Sequence, residues 1–418
     1  MRAIVVGAGV AGLTAARDMH RAGLEVLVIE ARDRIGGRTW TADVGGVPVD
    51  LGGSWIHGPF GNPLSAEVEA AGWDWKNDGS WGMGLSVFIE GQGWAPAHVA
   101  SSLVATQADF DGDEATAALG DDASYSAAAE WYVEDRRLSG DARRVARFGI
   151  EWLEAGLNIG GLPEVASVSG CACYHLHPGG NAVISGGYIR LVDSLADGLE
   201  IQTGSPVLSV EHGAEVIVST ERGSHRADRV VVAVPLTIIQ RGAILFDPPL
   251  PRYQLAASRL AMASLEKVVF RFDDHFWPDH GRRMTFVSDD RRFPTWIDMS
   301  HHTGAPTLVA FYNPKATPGL TDRPLDERAR MALGVLKTML PRCPDPVAVR
   351  CTDWLNDQLA LGSYSYVPIG ATPNDMRTLG TPASNALFFA GEHTVPESFG
   401  TVHGAYVSGR RAAAAVLA

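Results

Sequence analysis

Three glycines near the start of the chain stand in a spacing that serves a phosphate. Gly7, Gly9 and Gly12 follow the apolar run Ala3 to Val6 as Gly-x-Gly-x-x-Gly, and a helical pattern continues from Leu13 to Ala22. A second apolar run, from Glu25 to Ile29, leads into Glu30. In such a strand–helix–strand unit the first glycine makes the tight turn and the second lets backbone approach a pyrophosphate. The third lets helix and strand touch. The helix N–H groups then face the phosphates, and a carboxylate at Glu30 accepts hydrogen bonds from a ribose diol. A glycine turn alone is common. The whole unit, closed by its acid, points to a bound dinucleotide.

The stretch after Glu30 decides which dinucleotide. Ala31 to Thr39 holds a second glycine turn, Gly36-Gly37, set among Arg32, Arg34 and Arg38. An NAD unit has no need of it, whereas a long, flat FAD lying across the fold does. Further motifs come in order: Leu51-Gly-Gly-Ser-Trp-Ile-His57-Gly, Ser185-Gly-Gly-Tyr188, and Lys267 ahead of Phe276-Trp277. Then come Gly362-Ser-Tyr364-Ser, Phe389-Ala-Gly391-Glu392-His393 and Gly400-Thr401-Val402-His403-Gly-Ala405. With the Glu30–Arg38 extension, this series resembles the flavin-dependent amine oxidases. It is most similar to the polyamine and spermine oxidase branch, related to monoamine oxidases and flavin histone-lysine demethylases. The resemblance spans nearly the whole chain and is weakest over about residues 75–180.

The resemblance implies a non-covalent FAD, because Ser363 stands where covalently flavinylated relatives carry a cysteine. It implies cofactor contacts from Gly7, Gly9, Gly12, Glu30, Arg32, Arg38, Gly53, Ser54 and Trp55. The backbone of Val207 would hold adenine, and Gly391 and Glu392 would meet the diphosphate and ribityl chain. Thr401 and Val402 would present a helix N-terminus to the flavin N1/C2=O edge. Three residues are expected to be catalytic. Lys267 would hold a water near N5, Tyr364 would form one wall of an aromatic cage, and His57 would hydrogen-bond a substrate nitrogen. The second cage position falls at Thr401, which leaves the cage incomplete. The implied reaction is oxidation of a polyamine or related aliphatic amine by hydride transfer to N5. Hydrolysis of the imine gives an aldehyde, and O2 becomes H2O2.

Bland readings stand beside these. On an alternating strand Lys267 faces solvent, His57 is structural, and His403 packs locally. An L-amino-acid oxidase is the alternative function; it needs an arginine for the carboxylate, and no position can be nominated. A desaturase-type oxidoreductase shares the first motif but not Lys267 or Thr-Val-His-Gly. A non-catalytic flavin-binding protein comes last.

The elements that must position these residues are those of a globular protein. The 418 residues are 46% hydrophobic and 20% charged, enough for two domains. No apolar run reaches the 18 residues of a membrane span. Neither a signal peptide nor a C-terminal anchor is expected, so the expected location is cytoplasmic. A net charge of −13 argues against nucleic acid and suits a cationic ligand without demanding one. Four cysteines form neither a disulfide framework nor a zinc pattern,, and no metal is expected. The partners are an amine and O2, with no membrane; the number of subunits stays open, a homodimer among the options.

The fold expected is α/β: a Rossmann-like FAD-binding domain with an inserted α+β substrate-binding domain, in a monoamine oxidase-like architecture. The first comprises 1–60, 183–245 and 383–418, the second 61–182 and 246–382. Within them the pattern predicts a helix over Pro63 to Ala71 and strands and loops over Trp73 to Pro96. Helices are predicted over Ala127 to Leu138, Ala142 to Leu157, Tyr188 to Ala196 and Asp326 to Leu340. The acidic run Asp109 to Glu114 reads as a solvated loop. Strands at Ile201, Val207 to Glu211, Ala214 to Ser219 and Val230 to Pro235 read as additions to the first sheet. Strands at Ser264 to Phe272, Val347 to Trp354 and Ala386 to Glu392, and a helix from Gly404 to Leu417, complete the chain.

Overall fold

The computed structural model describes residues 1–79, 84–175, 177–213, 215–277 and 282–418. Ala214, the start of one predicted strand, lies outside them, as do 80–83 of the Trp73–Pro96 stretch and residue 176. A five-stranded parallel sheet organises the fold. Its order is Glu200–Gln202, Glu25–Ile29, Arg2–Val6, Arg229–Val232 and Leu387–Phe389. Parallel sheets are covered on both faces, which is why these strands read as unbroken apolar runs. Side chains alternate across the sheet. Ala3 and Val5 enter one core, under the helices Val10–Arg21, Ile189–Ala196 and Val402–Leu417. Ile4 and Val6 enter the other. The first and last of these helices cross so closely that a Cβ at Gly409 would meet the Ala11 carbonyl. Strands from three separate stretches of chain thus end side by side, and ligands of such sheets bind beyond the carboxyl ends of the strands.

Not every apolar stretch joined this sheet. Val207–His212 and Val216–Thr220 pair instead with Gly223–Ala227 and Leu245–Asp247 in a separate four-stranded sheet. The expectation that they extend the first sheet is corrected. Their burial alternates, as in a half-covered sheet, whereas Arg229–Val232 is apolar on both sides,. The strand read from Ala386 to Glu392 is also shorter. It ends at Phe389, because Gly391 turns the backbone at φ 146.

A seven-stranded sheet forms the other half, in the order Ala348–Cys351, Glu266–Arg271, Thr307–Tyr312, Thr295–Asp298, Arg283–Val287, Leu85–Ile89 and Gly93–Trp94. Helices Ala97–Asp109, Gly112–Leu119, Tyr125–Asp135 and Gly140–Phe148 lie in the stretch of weakest resemblance. The acidic run is not a loop. Asp109 ends one helix, and Asp111 caps the next by accepting from the amides of Asp113 and Glu114, the ordinary N-cap role of aspartate. The helix predicted over Ala142 to Leu157 is split: Gly149–Ile159 winds as a π-helix, a rare form associated with functional sites. Among the described residues no helix is long and apolar enough to cross a membrane.

Candidate active site

The turn after the first strand has the geometry its glycines require. Gly7 sits at φ 103, and a Cβ there would come 2.6 Å from the Ala233 carbonyl oxygen. A Cβ on Gly12 would fall on the Gly7 carbonyl. Gly9 differs: it is the N-cap of Val10–Arg21, and nothing lies within 4 Å of its Cβ position. The space it faces is a cavity of about 220 Å³, which Gly9, Val10 and Ala11 line on one side. At Glu30 the carboxylate accepts from the amides of Ala8 (2.6 Å) and Arg32 (2.8 Å), fixing the glycine turn to the end of the second strand.

The arginines of the second glycine turn are held by carboxylates. Arg32 meets Asp357 through both terminal nitrogens at 2.9 Å. Arg38 Nη1 donates to Glu392 Oε1 at 2.9 Å and to the Ser363 carbonyl at 3.2 Å. Glu392 is buried and also accepts from the Ser365 hydroxyl (2.5 Å), the Ser365 amide (3.2 Å) and the Gly400 amide (2.8 Å). Burial pushes its pKa up, but Arg38, His393, the Ser365 hydroxyl and the Gly400 amide outweigh it and hold the carboxylate below its ordinary value. Glu392 therefore ties together three strands of chain at one end of the cavity. Thr401 caps the last helix, accepting from the Gly404 amide at 2.9 Å. Val402, its first residue, leaves an N–H without an intrahelical acceptor. A Cβ on Gly53 would meet the Val402 side chain at 2.6 Å.

On a further wall stands Lys267, from the strand Glu266–Arg271. It is buried, not solvent-facing, because its strand lies inside the seven-stranded sheet. Its Nζ donates to the carbonyls of Asp50 (2.9 Å) and Gly52 (2.7 Å) and to Ser54 Oγ (2.5 Å). The rings of Trp55 and Phe311 lie 5.3 and 5.4 Å from it. Burial pulls its pKa down to about 7, with Asp50 opposing. Burial raises Asp50 in turn, against Thr41, Lys267 and the Tyr188 amide. His57 Nδ1 bonds Asn181 Oδ1 at 2.6 Å, and burial lowers its pKa. Tyr364 donates its hydroxyl to the Leu157 carbonyl at 2.9 Å.

Of the residues singled out in the sequence, Gly9, Arg38, Gly53, Ser54, Trp55 and His57 line the cavity. So do Lys267, Tyr364, Gly391, Glu392, Thr401 and Val402. Gly7, Gly12, Glu30, Arg32 and Val207 do not; the first four belong to the turns and strand ends of the dinucleotide unit, and Val207 begins a strand of the separate four-stranded sheet. Leu157, Asn158, Tyr174, Phe311 and Trp354 also line it and were not singled out. Nothing in local spacing marks them. The tryptophan before the Gly362 motif was the nearest available signal, and Trp354 donates to the Leu51 carbonyl at 3.2 Å. Two helix N-termini, an open glycine turn and an aromatic cavity fit a flat cofactor bearing a diphosphate.

Comparison with known proteins agrees with this geometry. The family model described as flavin containing amine oxidoreductase matches residues 10–75 and 97–417. The chain is 33% identical over 490 residues to lysine-specific histone demethylase 1 homolog 3 of Arabidopsis thaliana, covering 100% of this chain but 30% of that protein. It is 30% identical over 431 residues to polyamine oxidase 2 of the same plant, covering 98% of this chain and 86% of that one. Among solved structures it is similar to wild-type putrescine oxidase bound to putrescine, with a TM-score of 0.81 and 22% identity over 100% of this chain and 99% of that chain.

Proposed function

The chain belongs to the flavin-containing amine oxidoreductases, and from that premise we propose that it oxidises a polyamine or related aliphatic amine at the expense of O2. It is an enzyme with FAD as its cofactor. In the proposed reaction a primary amine, O2 and water give an aldehyde, ammonia and H2O2; the amine loses two electrons and O2 gains them. We assign 1–60, 183–245 and 383–418 to the FAD-binding part and 61–182 and 246–382 to the amine-binding part.

One observation carries the reading. The cavity joins the two helix N-termini to an aromatic wall holding a buried lysine whose pKa is near neutrality. When bound, FAD supplies the two-electron acceptor for hydrogen from the amine's α-carbon. Ser363 at the position of the missing cysteine supports non-covalent attachment. The Val402 N–H and the dipole of its helix favour negative charge at their end of the cavity. Trp55, Phe311, Tyr364 and Leu157 exclude water and leave an ammonium poorly solvated, which favours the neutral amine,. His57, kept neutral by burial and pinned by Asn181, is a hydrogen-bond partner for the substrate nitrogen. Lys267, when protonated, would supply positive charge to stabilise the negative charge that O2 gains on reduction.

The amino-acid alternative gains nothing from the site. Among the described residues Arg38 is the one arginine lining the cavity, and Glu392 engages it. The test is anaerobic mixing of the flavoprotein with spermine, spermidine, putrescine, aromatic monoamines, L-amino acids and an N-methylated lysine peptide. Bleaching of the flavin band by an aliphatic amine, then H2O2 on admitting air, is expected. Bleaching by amino acids or the peptide alone would overturn the substrate class.

A further inference from the structure

The π-helix Gly149–Ile159 brings a polar group to the cavity that no motif marked. It ends at Gly160 in the left-handed region (φ 76), where a Cβ would meet the Tyr364 ring at 2.6 Å. The hydroxyl of Tyr364 meanwhile holds the Leu157 carbonyl. These two contacts set Leu157 and Asn158 at the cavity wall. Four residues before Asn158 stands Glu154, and burial raises its pKa against two amide donors. Its Oε2 accepts from Asn158 Nδ2 at 3.1 Å, and its Oε1 from Gln107 Nε2 at 2.9 Å.

The geometry dictates which end of each amide is left over. One carboxylate takes a nitrogen from both, so both amide oxygens turn away from it. Among the described residues no protein donor meets either oxygen. Asn158 lines both the main cavity and an adjoining chamber of about 20 Å³, room for a single water. Its negative dipole end is thus presented at a largely apolar cavity, with a carboxylate behind it. Arg283 lines the small chamber but not the main cavity, and its Nη2 lies 3.8 Å from Asp78, a carboxylate it shares with Arg282 and His302.

We propose that Asn158 Oδ1, oriented by Glu154, accepts the second, non-reacting ammonium of a diamine or polyamine. The cavity then selects bis-cationic aliphatic amines over monoamines of equal length. This inference rests on the amine-oxidase reading and deepens it. A hydrogen bond from an ammonium to an oriented acceptor in a low-dielectric site is stronger than one between neutral groups. A monoamine places a methyl group at the same point and gains nothing from it. Glu154 is a positioning residue in this scheme: it touches neither substrate nor cofactor and acts by fixing the amide.

The experiment is anaerobic stopped-flow reduction of the holoenzyme, read as a Kd and a limiting rate for each amine. Putrescine and cadaverine are compared with n-butylamine and n-pentylamine in wild type, Asn158→Leu and Glu154→Gln. Melting temperature and flavin content of each variant are measured alongside. The wild type should bind each diamine more tightly than its matched monoamine. Both substitutions should raise the diamine Kd about 10- to 100-fold, a clearly larger rise than either causes in the Kd of the matched monoamine. Glu154→Gln preserves size and tests the idea even if Asn158→Leu folds badly. Equal losses for both amine classes, or an unchanged diamine Kd, overturn the anchor. A wild type that prefers monoamines overturns it as well. A protein whose flavin no amine bleaches defeats the amine-oxidase reading itself, which is a different failure.

Discussion

The two sides of the cavity are built on different principles. The dinucleotide side is made of backbone: glycine turns at strand ends, two helix N-termini, and carboxylates that clamp arginines from the same turns. The side we propose for the amine is made of side chains brought together from distant parts of the chain. Lys267 reaches back to Asp50, Gly52 and Ser54, and Tyr364 reaches Leu157. Backbone recognition needs only that a side chain be absent, and a few consecutive residues can specify that. Side-chain recognition needs several buried polar groups to satisfy one another, and only a completed core arranges it. The dinucleotide side should therefore fail by losing its shape, and the amine side by losing its chemistry.

The largest effect is expected where shape is at stake. Gly12→Ala drives a methyl into the Gly7 carbonyl, and the protein should purify without flavin or fail to fold, as visible absorbance and circular dichroism would show. Gly9→Ala is the contrast. Its Cβ meets nothing in the protein, so the apoprotein should melt close to wild type while flavin affinity falls by about tenfold or more. Equal behaviour of the two variants would erase the distinction between packing glycine and approach glycine.

A smaller effect, of another kind, is expected at Lys267. Lys267→Met should slow reoxidation of the reduced enzyme by O2 about 100- to 1,000-fold, with a lesser change in anaerobic reduction by amine. In the wild type, reoxidation should fall as pH rises through about 7, where Lys267 loses its proton. That step should vanish in the variant. Stability moves the other way. Burial lowers the folded pKa, so between about 7 and the ordinary lysine value the unfolded chain binds more protons. Stability from this group then rises with pH across that window, and melting curves of Lys267→Met should lack the rise. A variant with a flat oxidative rate loss at every pH would leave the lysine a packing role only.

Tyr364→Phe is expected to do least. It removes the bond to the Leu157 carbonyl and should cost about 1–2 kcal/mol in a urea titration, with reduction by amine slowed less than Lys267→Met slows reoxidation. A larger kinetic loss would move the phenol from positioning the π-helix to the chemistry itself.

Legibility in the sequence divides along the same line. The strand–helix–strand unit was legible to within three residues, the helix starting at Val10 and not Leu13, because turn glycines and unbroken apolar runs are local signals. Its partners at Arg229–Val232 and Leu387–Phe389 were legible for the same reason. Val207–His212 was found as a strand but placed in the wrong sheet, since a strand's own residues do not name its neighbour. The split at Gly149 was invisible, as π-winding depends on what the helix packs against. Taken by itself, Lys267 read as solvent-facing, because alternation along a strand cannot say how many layers cover it.

The sequence by itself determined where the glycine turn and the helix N-terminus behind it lie, which acid closes the unit and which family's motifs recur in order. The turns and each motif are set by residues within a few positions of one another, through sterics that hold in any context. Only the tertiary structure decided that Lys267 is buried with Asp50, that Glu392 joins Arg38 to Ser365 and Gly400, and that Glu154 turns Asn158 toward the cavity. Those depend on desolvation and on hydrogen bonds between residues up to hundreds of positions apart. Neither exists until the chain has closed around them.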